Sequence, residues 1–166
     1  MKIEKNLNTV DKNEFIAIFG SVFEKSEWIA AETFKKKPFE NSQDLINKMI
    51  KIYESCSIDQ IIVILNLHPK LAIEKKLTSF STKEQSEAKL DRCSKEELVE
   101  FDRLNFDYEK KFQFPFIIAV KGKNKHEILE NFRDRINNDY EKEFQEAKKQ
   151  VIKIALFRLN EILETN

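Results

Sequence analysis

The sequence predicts an all-α fold, a single-domain helical bundle of about seven to nine helices with one irregular apolar segment near residues 112–123. Three observations carry this. Fourteen Phe stand against two Gly and three Pro, so bulky apolar surface is plentiful and turn formers are few. Charged residues make up 35% of the chain, enough to coat the outward faces of helices. Apolar residues also recur at the three, four and seven spacing of a single helical face. A length of 166 residues fits one core, so residues 1–166 are expected to form one domain.

Taken in order, "DKNEFIAIFGSVFE" places Phe15, Ile18, Phe19, Val22 and Phe23 on one face behind Asp11, a candidate N-cap. "SEWIAAETFKKKPF" opens at Ser26 and ends at Pro38, and "NSQDLINKMIKIY" restarts from Asn41 or Ser42. "IDQIIVILNL" is β-branched enough for a strand, but its Ser57-x-x-Gln60 start and its helical neighbours favour helix. "STKE" at 81–84 and "SKEE" at 94–97 match the capping box, in which serine and glutamate side chains satisfy orphan amides at a helix start. "FQFPFIIAVKGK" breaks the pattern, because Pro115 disfavours helix at Phe114 and Gly122 ends the apolar run. Helical spacing returns in "NKHEILENFRDRI". It persists to the C-terminus, with Phe144, Ala147, Val151, Ile154, Ala155, Leu159 and Ile162 on one face.

Composition narrows function by exclusion. Lys+Arg and Asp+Glu are both 29, so no global field draws the chain to nucleic acid or an anionic membrane. No apolar run reaches the roughly 18 residues of a membrane span, and the N-terminus lacks an apolar leader segment. Cys56 and Cys93 form no CxxC pair and read as reduced thiols. The C-terminal "ETN" is no Ser-Lys-Leu type address, so a cytoplasmic protein is expected. No metal site is expected, since His68 and His126 are far apart and neither lies in an HxxxH pair. Two glycines cannot build a phosphate cradle, and no GxSxG nucleophile elbow occurs.

What remains is "LNLHPKLAIEKKLTSFSTKEQ", where His68 ends an apolar run and Pro69 stops the helix before it. An imidazole with an ordinary pKa of about 6.5 gives and takes protons near neutrality. His68 is thus a proton-transfer candidate, against a histidine interacting with a helix C-terminus or packed in the core. Ser81 and Glu84 are explained better by capping; Gln85 is not explained by it.

These segments resemble a known family. "LNTVDKNEFIAIFGSVFEKSEWIA", "HPKLA", "LTSFSTKEQSEAKLD", "LNFDYEKKFQFPFIIAVKGK" and "IALFRLNEIL" together are similar to the 2-oxo-4-hydroxy-4-carboxy-5-ureidoimidazoline (OHCU) decarboxylases, which form (S)-allantoin in urate degradation. The resemblance implies an all-helical homodimer that acts on a small ureidoimidazoline without cofactor, with His68 as proton donor. It places substrate contacts at Pro69, at Ser81, Thr82, Lys83 and Gln85, and at Phe116, Ile117, Ile118, Ala119 and Val120. Glu84 then receives the substrate hydroxyl or orients His68. Arg135, with Arg133 and Lys121 behind it, is the candidate cation for the substrate carboxylate, against an ordinary ion pair. Trp28 reads as core or site-wall packing. Lys70, Ile73, Lys89 and Lys121 depart from the family pattern, which often has an acidic residue, Gly, Gly and Arg there. Two other readings stand beside this one: a non-catalytic helical interaction protein that retains the fold, and a decarboxylase or tautomerase of another ureido compound.

Overall fold

Capping chemistry sets most of the helix boundaries. The structure, a computed structural model, describes residues 7–72 and 77–165; Ile73, one of the departures, lies outside the described residues. Among them are eight α-helices and no strand: α1 (Lys12–Phe19), α2 (Glu27–Phe34), α3 (Ser42–Glu54), α4 (Ile58–Leu67), α5 (Ser79–Glu87), α6 (Lys95–Phe112), α7 (Lys125–Arg135) and α8 (Tyr140–Thr165). A 3-10 turn, Leu90–Arg92, separates α5 from α6.

Asp11 caps α1 by accepting from the Glu14 N–H, and Asn41 caps α3 by accepting from the Asp44 N–H. Ser57 and Gln60 exchange side-chain to backbone hydrogen bonds at 2.9 and 3.3 Å, which settles "IDQIIVILNL" as a helix. Ser94 with Glu97 and Asn124 with Glu127 form complete capping boxes on α6 and α7. Two expectations are corrected. "STKE" does not open α5: Thr78, in an extended conformation, caps it by accepting from the Ser81 N–H, so Ser81 and Glu84 lie inside the helix. Ser26 precedes α2, but its hydroxyl donates to the Glu24 carbonyl rather than capping.

The described chain forms two compact units, 7–64 with 152–165, and 65–151. In the first, α1 packs on α2 and α2 on α3. α1 ends at Phe19, yet Val22 and Phe23 beyond it remain buried. Phe15 lies 4.7 Å from Phe19 and stacks at 5.8 Å on Phe39, and Phe23 stacks on Tyr53 at 5.2 Å. Arg158, 2% exposed on the C-terminal part of α8, donates to the Ser21 and Val22 carbonyls and to Glu24. Trp28, expected as core or site-wall packing, is not in the core: it is 40% exposed, because the short α2 turns Ile29, Ala30 and Thr33 inward instead.

The second unit is built around aromatic rings. Tyr108 on α6 meets Phe112, Phe114, Phe116 and Phe132, and Phe116 stacks on Phe132 at 3.8 Å and 10°. Residues 113–124 carry no helix, close to the expected 112–123; Phe112 is the last residue of α6. Gln113 closes α6 in the left-handed region at φ 61°, Pro115 follows, and Gly122 turns the chain at φ 77°.

Tyr53 and Tyr108 are completely buried. Burial raises both phenol pKa values above the ordinary 10, and for Tyr108 the hydrogen bond to Glu143 raises it further. A pKa raised in the folded state stabilises the fold fully below the unfolded value of about 10, and that stability is lost as pH rises through the folded value. These two phenols should therefore ionise together with loss of helical circular dichroism above about pH 10. Full tyrosinate absorbance with helicity intact would contradict this.

Candidate functional site

His68 directly follows α4, its N–H donating to the Leu65 carbonyl at 3.2 Å, and only 8% of it is exposed. Pro69 lacks an N–H and disfavours helical backbone at the residue before it, so the helix stops here. The chain is then held on both sides of His68. Before it, Asn66 Nδ2 donates to the Gln113 carbonyl at 3.2 Å. After it, Gln85 Nε2 donates to the Lys70 carbonyl at 3.2 Å and Gln85 Oε1 accepts from the Ala72 N–H at 3.1 Å. Asn105 Nδ2 donates to the Leu71 carbonyl between them at 3.1 Å. Lys70 pairs with Glu109 at 2.6 Å. Asn105 and Glu109 are four residues apart and so share one face of α6. Ala72 is held at φ 54°.

On α5, Ser81 and Gln85 are one turn apart, 4% and 7% exposed, while Glu84 is half-buried. Thr82 and Lys83 are exposed, with Lys83 4.0 Å from Glu87. Both ends of the Gln85 amide are committed to backbone. That makes it a brace of the segment after His68, a role its sequence position does not reveal.

Phe116, Ile117, Ile118, Ala119 and Val120 are all buried. Hydrogen bonds hold the segment at three points: Arg135 Nη1 donates to the Ile117 carbonyl at 2.8 Å, the Ala119 N–H donates to Gln150 Oε1 at 2.9 Å, and the Val120 carbonyl accepts from the Lys123 N–H at 2.9 Å. Among the described residues no group pairs with the backbone of Ile118, which is 4% exposed. A run of buried, irregular peptide groups suits a flat ligand that carries both donors and acceptors.

Arg135 is buried, and the structure gives it protein partners: Glu143 Oε1 accepts from its Nε at 2.9 Å and its Nη2 at 2.6 Å, and its guanidinium lies 4.4 Å from the Phe116 ring centre. Glu143, with no exposed surface, also accepts from Tyr108 at 2.5 Å and Asn138 at 2.8 Å. Arg133 forms a bidentate pair with Glu100, largely in solvent. Asn105, Glu143 and Gln150 were not anticipated. Glu143 and Gln150 had a signal, being polar residues beside the apolar face of α8 marked by Phe144, Ala147 and Val151.

The remaining candidates lie elsewhere. His126 is exposed in the first turn of α7. Cys56 and Cys93 are half-buried free thiols whose pKa values burial raises. Trp28 borders a half-open cavity of about 530 Å³ in the first unit, shared with Lys36, Lys48 and Lys51. No cluster of three or more metal-ligating residues occurs among the described residues, and no helix is long and apolar enough to cross a membrane.

Comparison with known proteins covers almost all of the chain. The OHCU decarboxylase family model matches residues 8–160. A 2-oxo-4-hydroxy-4-carboxy-5-ureidoimidazoline decarboxylase of Halalkalicoccus jeotgali is 36% identical over 95% of this chain and 90% of its own length. A uric acid degradation bifunctional protein of Bacillus sp. (strain TB-90) is 40% identical over 95% of this chain but only 32% of its own, so this chain spans about a third of that relative. A crystal structure of (S)-allantoin synthase superposes with a TM-score of 0.78 at 29% identity, covering 96% of this chain and 53% of the other. With the family model matching residues 8–160 and the structure reproducing the helical fold the motifs imply, the chain belongs to the OHCU decarboxylase family.

Proposed function

We propose that this protein is a cofactor-independent carboxy-lyase that converts 2-oxo-4-hydroxy-4-carboxy-5-ureidoimidazoline to (S)-allantoin and carbon dioxide. Family membership supports this reading. The structural observation that carries it is the setting of His68, a buried imidazole whose flanking residues are hydrogen-bonded on both sides. That arrangement suits a group that must meet a reacting atom in one geometry.

The substrate supplies its own electron sink. Its C4 bears both a hydroxyl and a carboxylate, and the adjacent C5 is doubly bonded to ring nitrogen. Cleavage of the bond from C4 to the carboxylate releases carbon dioxide, and the electron pair forms a double bond between C4 and C5. The former imine nitrogen takes up a proton. The resulting enol then loses its hydroxyl proton and gains one at C5, which gives allantoin with a net uptake of one proton.

The protein's tasks are therefore positioning and proton transfer. In this reading His68 delivers the proton to one face of C5, and Glu84 accepts from the substrate hydroxyl. The Ser81 hydroxyl and the irregular peptides of 116–120 pair with ureido and ring atoms. Gln85 and Arg135, committed to backbone and to Glu143, shape the walls rather than reach the reacting carbon. The homodimer belongs to the same proposal.

Three outcomes follow. When the unstable substrate is generated in situ from urate, the protein should accelerate its loss and give one enantiomer, seen by circular dichroism of the product at matched conversion; a racemic product would remove the assignment's main support. His68→Asn should slow the chemical step by roughly 10²–10⁴-fold with the fold intact, and full activity in a folded variant would exclude His68. Glu84→Ala, no longer a capping change, should lower kcat with little change in the urea unfolding midpoint; an unchanged kcat would leave Glu84 with a structural role alone.

A further inference from the structure

Asn105 lies in the middle of α6 and is 4% exposed. Asparagine is a poor helix former and a costly side chain to bury, so this placement needs a reason. Half of the reason is visible. The Leu71 carbonyl can only accept, so the amide nitrogen faces it, at 3.1 Å, and the orientation of the side-chain amide is fixed. Oδ1 then points elsewhere, fully buried, and no group among the described residues donates to it. Among the described residues the only other buried side-chain polar atom in that condition is the Tyr53 hydroxyl, in the first unit. Almost every other buried polar group is satisfied, and an unmet acceptor costs more than a typical hydrogen bond returns.

Its neighbours place this oxygen. Leu71 stands between Lys70 and Ala72, whose backbone groups Gln85 holds, and consecutive Cα atoms are only about 3.8 Å apart. The Leu71 carbonyl and the Ala72 N–H point to opposite sides of their trans peptide, so the Asn105 and Gln85 amides grip its two edges, within the loop that begins at His68 and Pro69.

Resting on the function proposed above, we infer that Asn105 is a further substrate-binding residue. Its Oδ1 accepts a hydrogen bond from an N–H of a urea or lactam group on the ligand, while its Nδ2 holds the Leu71 carbonyl. The atom narrows the ligand class: an amide acceptor takes an N–H or O–H donor and rejects a carboxylate or carbonyl, and the urea and lactam groups of the proposed ligand carry such N–H donors. The bond to Leu71 needs only the amide nitrogen, so it accounts for one end of the side chain and leaves the buried oxygen for a ligand.

The test uses the whole chain and (S)-allantoin as the probe, by calorimetric titration. Asn105→Leu should weaken binding by roughly 5–100-fold, the range for a buried donor left without its acceptor. The wild type gives an independent reading that does not depend on the variant folding: with asparagine carbonyl carbons labelled, the Asn105 Cγ resonance should shift on saturation with (S)-allantoin. An unmoved Cγ resonance at saturation overturns the proposal. So does Asn105→Leu with wild-type affinity, even if its stability has dropped. Failure of the functional reading looks different, because the wild type itself would then neither bind (S)-allantoin nor turn over the substrate.

Discussion

The second unit depends on one buried carboxylate. Glu143, with no surface in solvent, collects the Arg135 guanidinium, the Tyr108 hydroxyl and the Asn138 amide. Those partners come from α7, from α6 and from the turn into α8, so a single side chain ties three successive parts of the chain together. Ion pairs of this kind add little net stability over apolar packing, but removing one partner typically costs 3–5 kcal/mol because the other charge is left buried. What the network supplies is definition. Arg135, fixed by Glu143, aims Nη1 at the Ile117 carbonyl and lies on the Phe116 ring. An apolar substitute could fill the space, but it could not specify where a segment without helix runs.

The same logic governs the loop after His68. A histidine at a helix end, followed by proline, would swing with its loop if the loop were free. Here α5 and α6 hold three consecutive residues through side-chain amides, and the ion pair from Lys70 to Glu109 adds a fourth attachment. Fixing the backbone beforehand means that less ordering entropy is lost when a ligand binds.

Much of this was legible in the sequence because it is local. Caps at Asp11, Asn41, Ser57 and Ser94 join residues three apart, and the break at Pro115 follows from one ring and the residue before it. What misled was also local. "STKE" carries the capping-box letters, but Thr78 three residues earlier offers the same chemistry, and tertiary packing of Ser81 and Gln85 selects the earlier start. Trp28 was read as core or site-wall packing, whereas the register of an eight-residue helix turned smaller residues into the core. The braces were invisible for a different reason. Gln85 and Lys70 are 15 residues apart, Asn105 and Leu71 are 34 apart, and no spacing rule links a side-chain amide to so distant a carbonyl.

The departures from the family pattern can be read in the same terms. Lys70 is a cation where an acidic residue is frequent, and its ammonium lies 2.6 Å from Glu109 on α6. That carboxylate lies on the helix that also presents Asn105, so the Lys70 side chain attaches the loop to α6. Lys89 stands where glycine is frequent and adopts φ 60°, ψ 28°, the left-handed conformation that glycine enters freely and a lysine enters at a cost of roughly 1–2 kcal/mol. A backbone that keeps that conformation without glycine is held by its surroundings: Ala88, which precedes it, and Leu90, which follows it, are both buried. At both positions contacts hold the backbone: Lys70 through Glu109 and the Gln85 amide, Lys89 through its buried neighbours, so neither the loop after His68 nor the end of α5 depends on one residue type alone.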